Sequence, residues 1–139
     1  MIPTVELEIP PRSAYVRVVR LAFTMLARQA RFDEERVDDL KIAISEACTN
    51  AVLSNESAGK RDPVTITWTD EADRVVIGIE DRGTIYTGGQ DPLDSQGLGQ
   101  RIMMSVALLE SLVDECEIIP RTIGSCAQLV MSRQRNDST

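Results

Sequence analysis

Two hydrophobic periods alternate along this chain, and the order in which they come limits the folds open to it. Thr4 to Ile9 (TVELEI) alternates polar and apolar residues as a strand does, and Pro10-Pro11 stops it. Ser13 then suits the N-cap of a helix running to about Arg31. Asp33 suits the N-cap of a second helix, with Glu34 and Glu35 in the first turn, where negative charge is favoured, and the pattern continues to about Asn55. The stretch SAGKRDP breaks it. Pro63 to Thr69 and Arg74 to Glu80 read as strands joined by a short hairpin connection. Residues 82–97 hold Gly83, Gly88, Gly89, Pro92 and Gly97 and read as a loop. A third helix follows from about Leu98 to Leu112, then strands near Val113–Ile119 and Ser125–Ser132. The order β-α-α-β-β-α-β-β has too few βαβ units for a doubly wound sheet. It predicts an α+β two-layer sandwich, a mostly antiparallel, mixed sheet with its helices on one face.

With 139 residues, the chain suits one domain over residues 1–134, with 135–139 as a polar tail. Aromatic residues make up only 4%, so the core is expected to rest on Val, Ile, Leu, Ala and Met. No apolar run approaches the roughly 20 residues that span a bilayer, and MIPTVELEIPP lacks the features of a signal peptide. The expectation is a cytoplasmic protein without membrane contact. A net charge of −7 argues against direct nucleic-acid binding, because the phosphate backbone would repel it. The absence of histidine excludes His-dependent triads, His-ligated metals and a histidine kinase that phosphorylates itself. Cys48, Cys116 and Cys126 show no CxxC spacing; a pair formed by Cys116 and Cys126 on a hairpin would stay reduced in the cytoplasm.

On the second helix Val37, Leu40, Ile44, Cys48 and Ala51 fall on one stripe, the expected core face. Glu46 and Asn50 lie i, i+4 on roughly the opposite side, flanked by Ile42, Ala43 and Leu53. Such a pair in an apolar surround suits a pocket wall, although a solvated polar pair on an amphipathic helix reads the same way from this helix alone. Asp81 ends an apolar strand and precedes Arg82-Gly83. Its carboxylate suits an exocyclic amine, and a glycine there lets a flat ring approach; a plain strand-ending turn uses the same residues. Gly97-Leu98-Gly99 opens the third helix, where free amides favour anions, and Gly124-Ser125 turns the last hairpin.

ISEACTNAV, then IEDRG, then GLG opening a helix, then GS in the last hairpin resemble the N, G1 and G2 boxes and closing segment of the GHKL (Bergerat-fold) ATPases. The opening strand, long first helix and SEACTNA resemble most the anti-sigma factor serine-protein kinases of the RsbW/SpoIIAB type. That resemblance implies three helices on one face of the sheet. It implies ATP and Mg2+ as cofactors, with Glu46 orienting or deprotonating the attacking hydroxyl and Asn50 holding the Mg2+. Asp81 would bind the adenine amine, Gly83 would make room for the ring, Gly97, Leu98 and Gly99 would line the phosphates, and Ser125 would lie near the base. The implied partners are a sigma factor, sequestered by the domain, and an anti-anti-sigma (STAS) protein, phosphorylated by it; a homodimer is also implied. The chain departs from the family at Ile85, where a second glycine is usual, and at Ser54 and Asn55, where relatives often carry His and an aromatic. Ser95-Gln96 stand where a basic residue often precedes the glycines.

On the first helix Arg17, Arg20, Arg28 and Arg31, with Thr24 between them, fall on one stripe opposite Val18, Ala22, Met25 and Leu26. An arginine stripe on an acidic domain suits an acidic partner, and it suits an ordinary solvated face equally. Arg17 and Arg20 are the expected partner contacts. Two functions remain open at this point: a sigma-sequestering serine/threonine-protein kinase, and a binding module of the same fold that regulates by sequestration alone.

Overall fold

The computed structural model describes residues 3–83 and 98–133, with the backbone alone at Leu98 and Gly99. Gly97, most of the 82–97 loop and the expected tail over 135–139 lie outside the described residues. Strand β1 (Thr4–Ile9) is followed by a single 3-10 turn at Ser13–Tyr15 and helices α1 (Val16–Gln29) and α2 (Glu34–Ser57). Strands β2 (Val64–Glu71) and β3 (Arg74–Asp81), helix α3 (Leu98–Leu112), and strands β4 (Glu115–Pro120) and β5 (Ser125–Ser132) complete it. The expected elements are therefore present, with shifted ends. Ser13 opens the 3-10 turn rather than capping an α-helix. Asp33 does cap α2, its side chain accepting from the Arg36 amide at 2.8 Å.

The five strands run in the order β1-β2-β3-β5-β4, and all four pairings are antiparallel. The mixed character expected of the sheet is thus absent among the described residues. Register aligns Leu7, Ile66, Ile79, Ala127 and Ile118 in one rung, and Val5, Trp68, Ile77, Leu129 and Cys116 in another. Strand alternation sends these rungs to the helix-covered face, while Thr65, Thr67, Gly78 and Gln128 take the other. The same register places Cys116 opposite Leu129 and Cys126 opposite Ile119, and all three cysteines are free thiols.

Helix α2 lies between α1 and α3 and packs over β3. Its stripe of Val37, Leu40, Ile44, Cys48 and Ala51 is buried as expected, and Ala43, Ala47 and Val52 are buried too, because α1 and α3 cover its flanks. Ile42, expected to be covered beside Glu46, is 51% exposed. The few aromatics gather rather than scatter: Trp68 meets Phe23 at 5.7 Å and Phe32 at 6.1 Å, both edge-on, under α1.

Helix α1 faces the sheet differently from the expectation. Val16, Val19, Phe23, Thr24 and Ala27 are buried, whereas Val18 (47%), Leu21 (59%) and Met25 (70%) are exposed. The helix carries more apolar residues than one face can hold, and the Phe23–Trp68 contact decides its rotation. Thr24 sits in the core by donating to its own helix, to the Arg20 carbonyl at 2.6 Å.

Candidate functional site

Strand alternation accounts for the least expected buried group. Val75, Ile77, Ile79 and Asp81 share the inward face of β3, so the strand's last inward position delivers a carboxylate under the helices. Asp81 is 5% exposed. Its Oδ1 accepts from Ser54 Oγ at 3.1 Å and from the Gly83 amide at 2.9 Å, and its Oδ2 accepts from Ser125 Oγ at 3.0 Å. Burial pushes the carboxyl above its ordinary value of 3.8, and these hydrogen bonds pull it part of the way back.

Two glycines permit this arrangement. A Cβ on Gly124, whose φ is +78°, would strike the Asp81 carbonyl oxygen, so only glycine lets the last hairpin bring Ser125 against Asp81. A Cβ on Gly83 would strike the Ser54 carbonyl oxygen, so the β3 end lies directly against the end of α2. Asn55 secures the same junction: its Oδ1 accepts from the Arg82 amide at 2.9 Å and its Nδ2 donates to the Asp62 carbonyl at 2.8 Å.

Asp81, Ser125 and Asn50 contribute the polar wall of a slot whose other walls include Ala47, Ile79, Ile102, Val106, Leu109 and Ile118. A flat apolar slot with a carboxylate at its end suits a heteroaromatic ring bearing an amine. The slot encloses only about 20 Å3 of free space, no more than a water needs. Room for a ring therefore requires the lining to open, and α3 supplies Ile102, Val106 and Leu109 of it.

Glu46 and Asn50, one turn apart on α2, both point toward α3. Ser105 Oγ donates to Glu46 Oε1, and Arg101 Nε donates to Asn50 Oδ1 at 3.1 Å. Ser105 is buried, Glu46 is half-buried and Asn50 is 9% exposed. The structure thus brings Glu46, Asn50, Asp81, Gly83 and Ser125 around one corner of the sheet, and Leu98 and Gly99 open the helix that carries Arg101 and Ser105. Arg17 and Arg20 stand apart on α1, the first exposed and the second half-buried. Sequence reasoning missed the parts played by Ser54, Asn55 and Ser105. Ser54 was visible as the next i+4 step from Asn50, whereas Ser105 carried no signal, lying 59 positions from Glu46.

The description of a histidine kinase-like ATPase domain matches residues 9–132. Serine-protein kinase RsbW of Bacillus subtilis (strain 168) is 30% identical over 128 residues, spanning 82% of this chain and 76% of that protein. Serine-protein kinase RsbW of Bacillus cereus (strain ATCC 10987 / NRS 248) is 37% identical over 84 residues, 59% of this chain and 51% of that one. A crystal structure of the RsbU and RsbW domains of Rv1364c from Mycobacterium tuberculosis shares the fold, with a TM-score of 0.72 at 21% identity. That likeness covers 94% of this chain and 32% of the other. Taken with the corner built by Glu46, Asn50 and Asp81, the matches across residues 9–132 and to the Bacillus relatives place the chain in the histidine kinase-like ATPase domain family, within its serine-protein kinase RsbW group.

Proposed function

We propose that this domain binds Mg-ATP, sequesters a sigma factor, and transfers the γ-phosphoryl group to a serine or threonine of an anti-anti-sigma (STAS) antagonist. The observation that carries the reading is the meeting of Asn50 and Asp81 in one apolar slot, with Glu46 one turn from Asn50 and tied to Ser105 of the slot wall.

The residues fit the group they would serve. The Asp81 carboxylate, which lines the slot, would accept from the adenine amine, and Ser125, donating to Oδ2, helps to hold its rotamer. Asn50 Oδ1 is the hard oxygen donor that would hold Mg2+. Among the described residues no cluster of three or more Cys, Asp or Glu forms a metal cage. A single protein oxygen suits an ion that takes its remaining ligands from phosphates and water. When bound, Mg2+ supplies neutralisation of phosphate charge. Glu46, one turn away, accepts the proton of the incoming hydroxyl as its oxygen bonds to phosphorus and ADP departs. Ser105 fixes one oxygen of that carboxylate. The N-terminal end of α3, which begins with Leu98 and Gly99, would supply amides for the phosphates.

Arg17, beside the exposed strip of Val18, Leu21 and Met25, supports a partner-facing surface on α1, and Arg20 borders it. An exposed apolar strip of this kind also supports a homodimer. No helix among the described residues is long and apolar enough to cross a membrane.

A second reading, a binding module without turnover, is favoured by the closed slot and by the engagement of both Glu46 and Asn50 by α3. Calorimetric titration with Mg-ATP, then incubation with labelled ATP and a cognate antagonist, separates the two. We expect wild type to bind and transfer. Glu46→Ala should lower transfer by about 100-fold or more while ATP affinity stays within roughly threefold. Transfer would establish the first reading, whereas binding without transfer, or no binding at all, would remove it and leave the second.

A further inference from the structure

Arg101 has no role in the reading above, yet it holds the one oxygen that reading needs for a metal. Its Nε donates to Asn50 Oδ1 at 3.1 Å, and Ser105, one turn further along α3, donates to Glu46. An i, i+4 pair on α3 therefore clasps the i, i+4 pair on α2. We propose that Arg101 exchanges partners on ligand binding: it occupies Asn50 Oδ1 in the ligand-free domain and passes to the nucleotide's phosphates when that oxygen is required for Mg2+. The proposal rests on the assignment of Asn50 as the residue that holds the metal.

Electrostatics requires the exchange. A guanidinium and a divalent cation on the same oxygen would stand within a few ångströms of each other, and their repulsion there is strong. Arg101 remains charged at all accessible pH, so it must leave rather than deprotonate. Its planar fork of donors matches a phosphate, it is exposed, and it lies in the first turn of α3, where backbone amides also favour an anion. The chain carries a net charge of −7, so a polyphosphate needs a local cation to approach. Ile102, beside Arg101 on α3, lines the slot, so a shift of α3 away from α2 that widened it would also strain the Arg101–Asn50 contact.

The test is calorimetry with ATP in EDTA and with ATP in excess Mg2+, on wild type, Arg101→Ala, Asn50→Ala and the double variant. Arg101→Ala should weaken metal-free ATP binding about tenfold, because the charged phosphate partner is lost. It should weaken Mg-ATP binding less than about threefold, since Mg2+ would then neutralise phosphate charge that the guanidinium meets alone in EDTA. Asn50→Ala should strengthen metal-free ATP binding about threefold, because Arg101 starts released, and this gain should vanish in the double variant. Arg101→Lys, which keeps the charge, should recover most of the metal-free affinity. Equal weakening of both titrations by Arg101→Ala, or no effect on either, would overturn the exchange. So would weaker metal-free binding in an Asn50→Ala protein whose circular dichroism is native. If wild type binds ATP in neither buffer, the nucleotide reading itself fails; binding by wild type with a flat response to Arg101→Ala removes the exchange alone.

Discussion

Asp81 is inward because alternation along β3 leaves it no other side, and it is tolerated there because Ser54, Ser125 and the Gly83 amide satisfy it. Burial raises its pKa above the ordinary 3.8, and that direction sets how nucleotide binding should respond to acid. The adenine amine is a donor, so the ionised carboxylate receives it and the protonated one does so poorly. Affinity is therefore full above the raised pKa and falls as pH drops through it. We expect ATP affinity to decline on acidification with a midpoint above 3.8. Asp81→Asn should bind at least about tenfold more weakly at neutral pH, with no such decline. Calorimetry across a pH series reads both. The position of Asp81 was legible from its place at a strand end, whereas its partner Ser54 was legible only in retrospect.

At the scale of elements, periodicity and punctuation identified every helix and strand described. The facing of α1 was not legible, because apolar residues surround so much of that helix that only the position of Trp68 selects a face. Nor was the α2–α3 clasp, whose two contacts join residues 51 and 59 positions apart. Arg36 is the clearest case. In EERVDD it reads as one more surface charge, yet its side chain is only 5% exposed and its Nη2 meets Asp114 Oδ2 at 2.6 Å, across 78 positions. The same Asp114 oxygen accepts from the Ser132 amide at 2.6 Å, so one ion pair ties the start of α2 to the entrance of β4 and the end of β5. Arg36→Ala removes the ion pair and leaves a cavity, with the Ser132 amide and hydroxyl still donating to Asp114, and should cost about 3 kcal/mol. The expectation lies toward the low end for buried pairs because Asp114 is 34% exposed. Urea unfolding should show the loss as a lower midpoint at unchanged slope.

At the scale of the whole molecule, the sheet places the proposed nucleotide site and the proposed partner surface on opposite flanks of α2. Helix α3 closes one flank over Asp81, and α1 forms the other, turning Val18, Leu21 and Met25 to solvent beside Arg17. Three large apolar side chains within two turns of one helix make a strip that a lone domain gains nothing by exposing. Self-pairing about a two-fold axis would bury the strip of each copy against its counterpart. Introducing charge there, as Leu21→Asp with Met25→Asp, would set like charges against each other across that axis. Light scattering coupled to size exclusion should then report a dimer for wild type and a monomer for the double variant. Thermal stability should be preserved in the variant, because neither side chain is buried within the domain. ATP affinity should also hold, since the Phe23–Trp68 packing and α2 stand between the strip and Asp81. A wild type that is already monomeric would assign the strip to a different protein, and loss of ATP binding in the variant would show that the two flanks are coupled through α2.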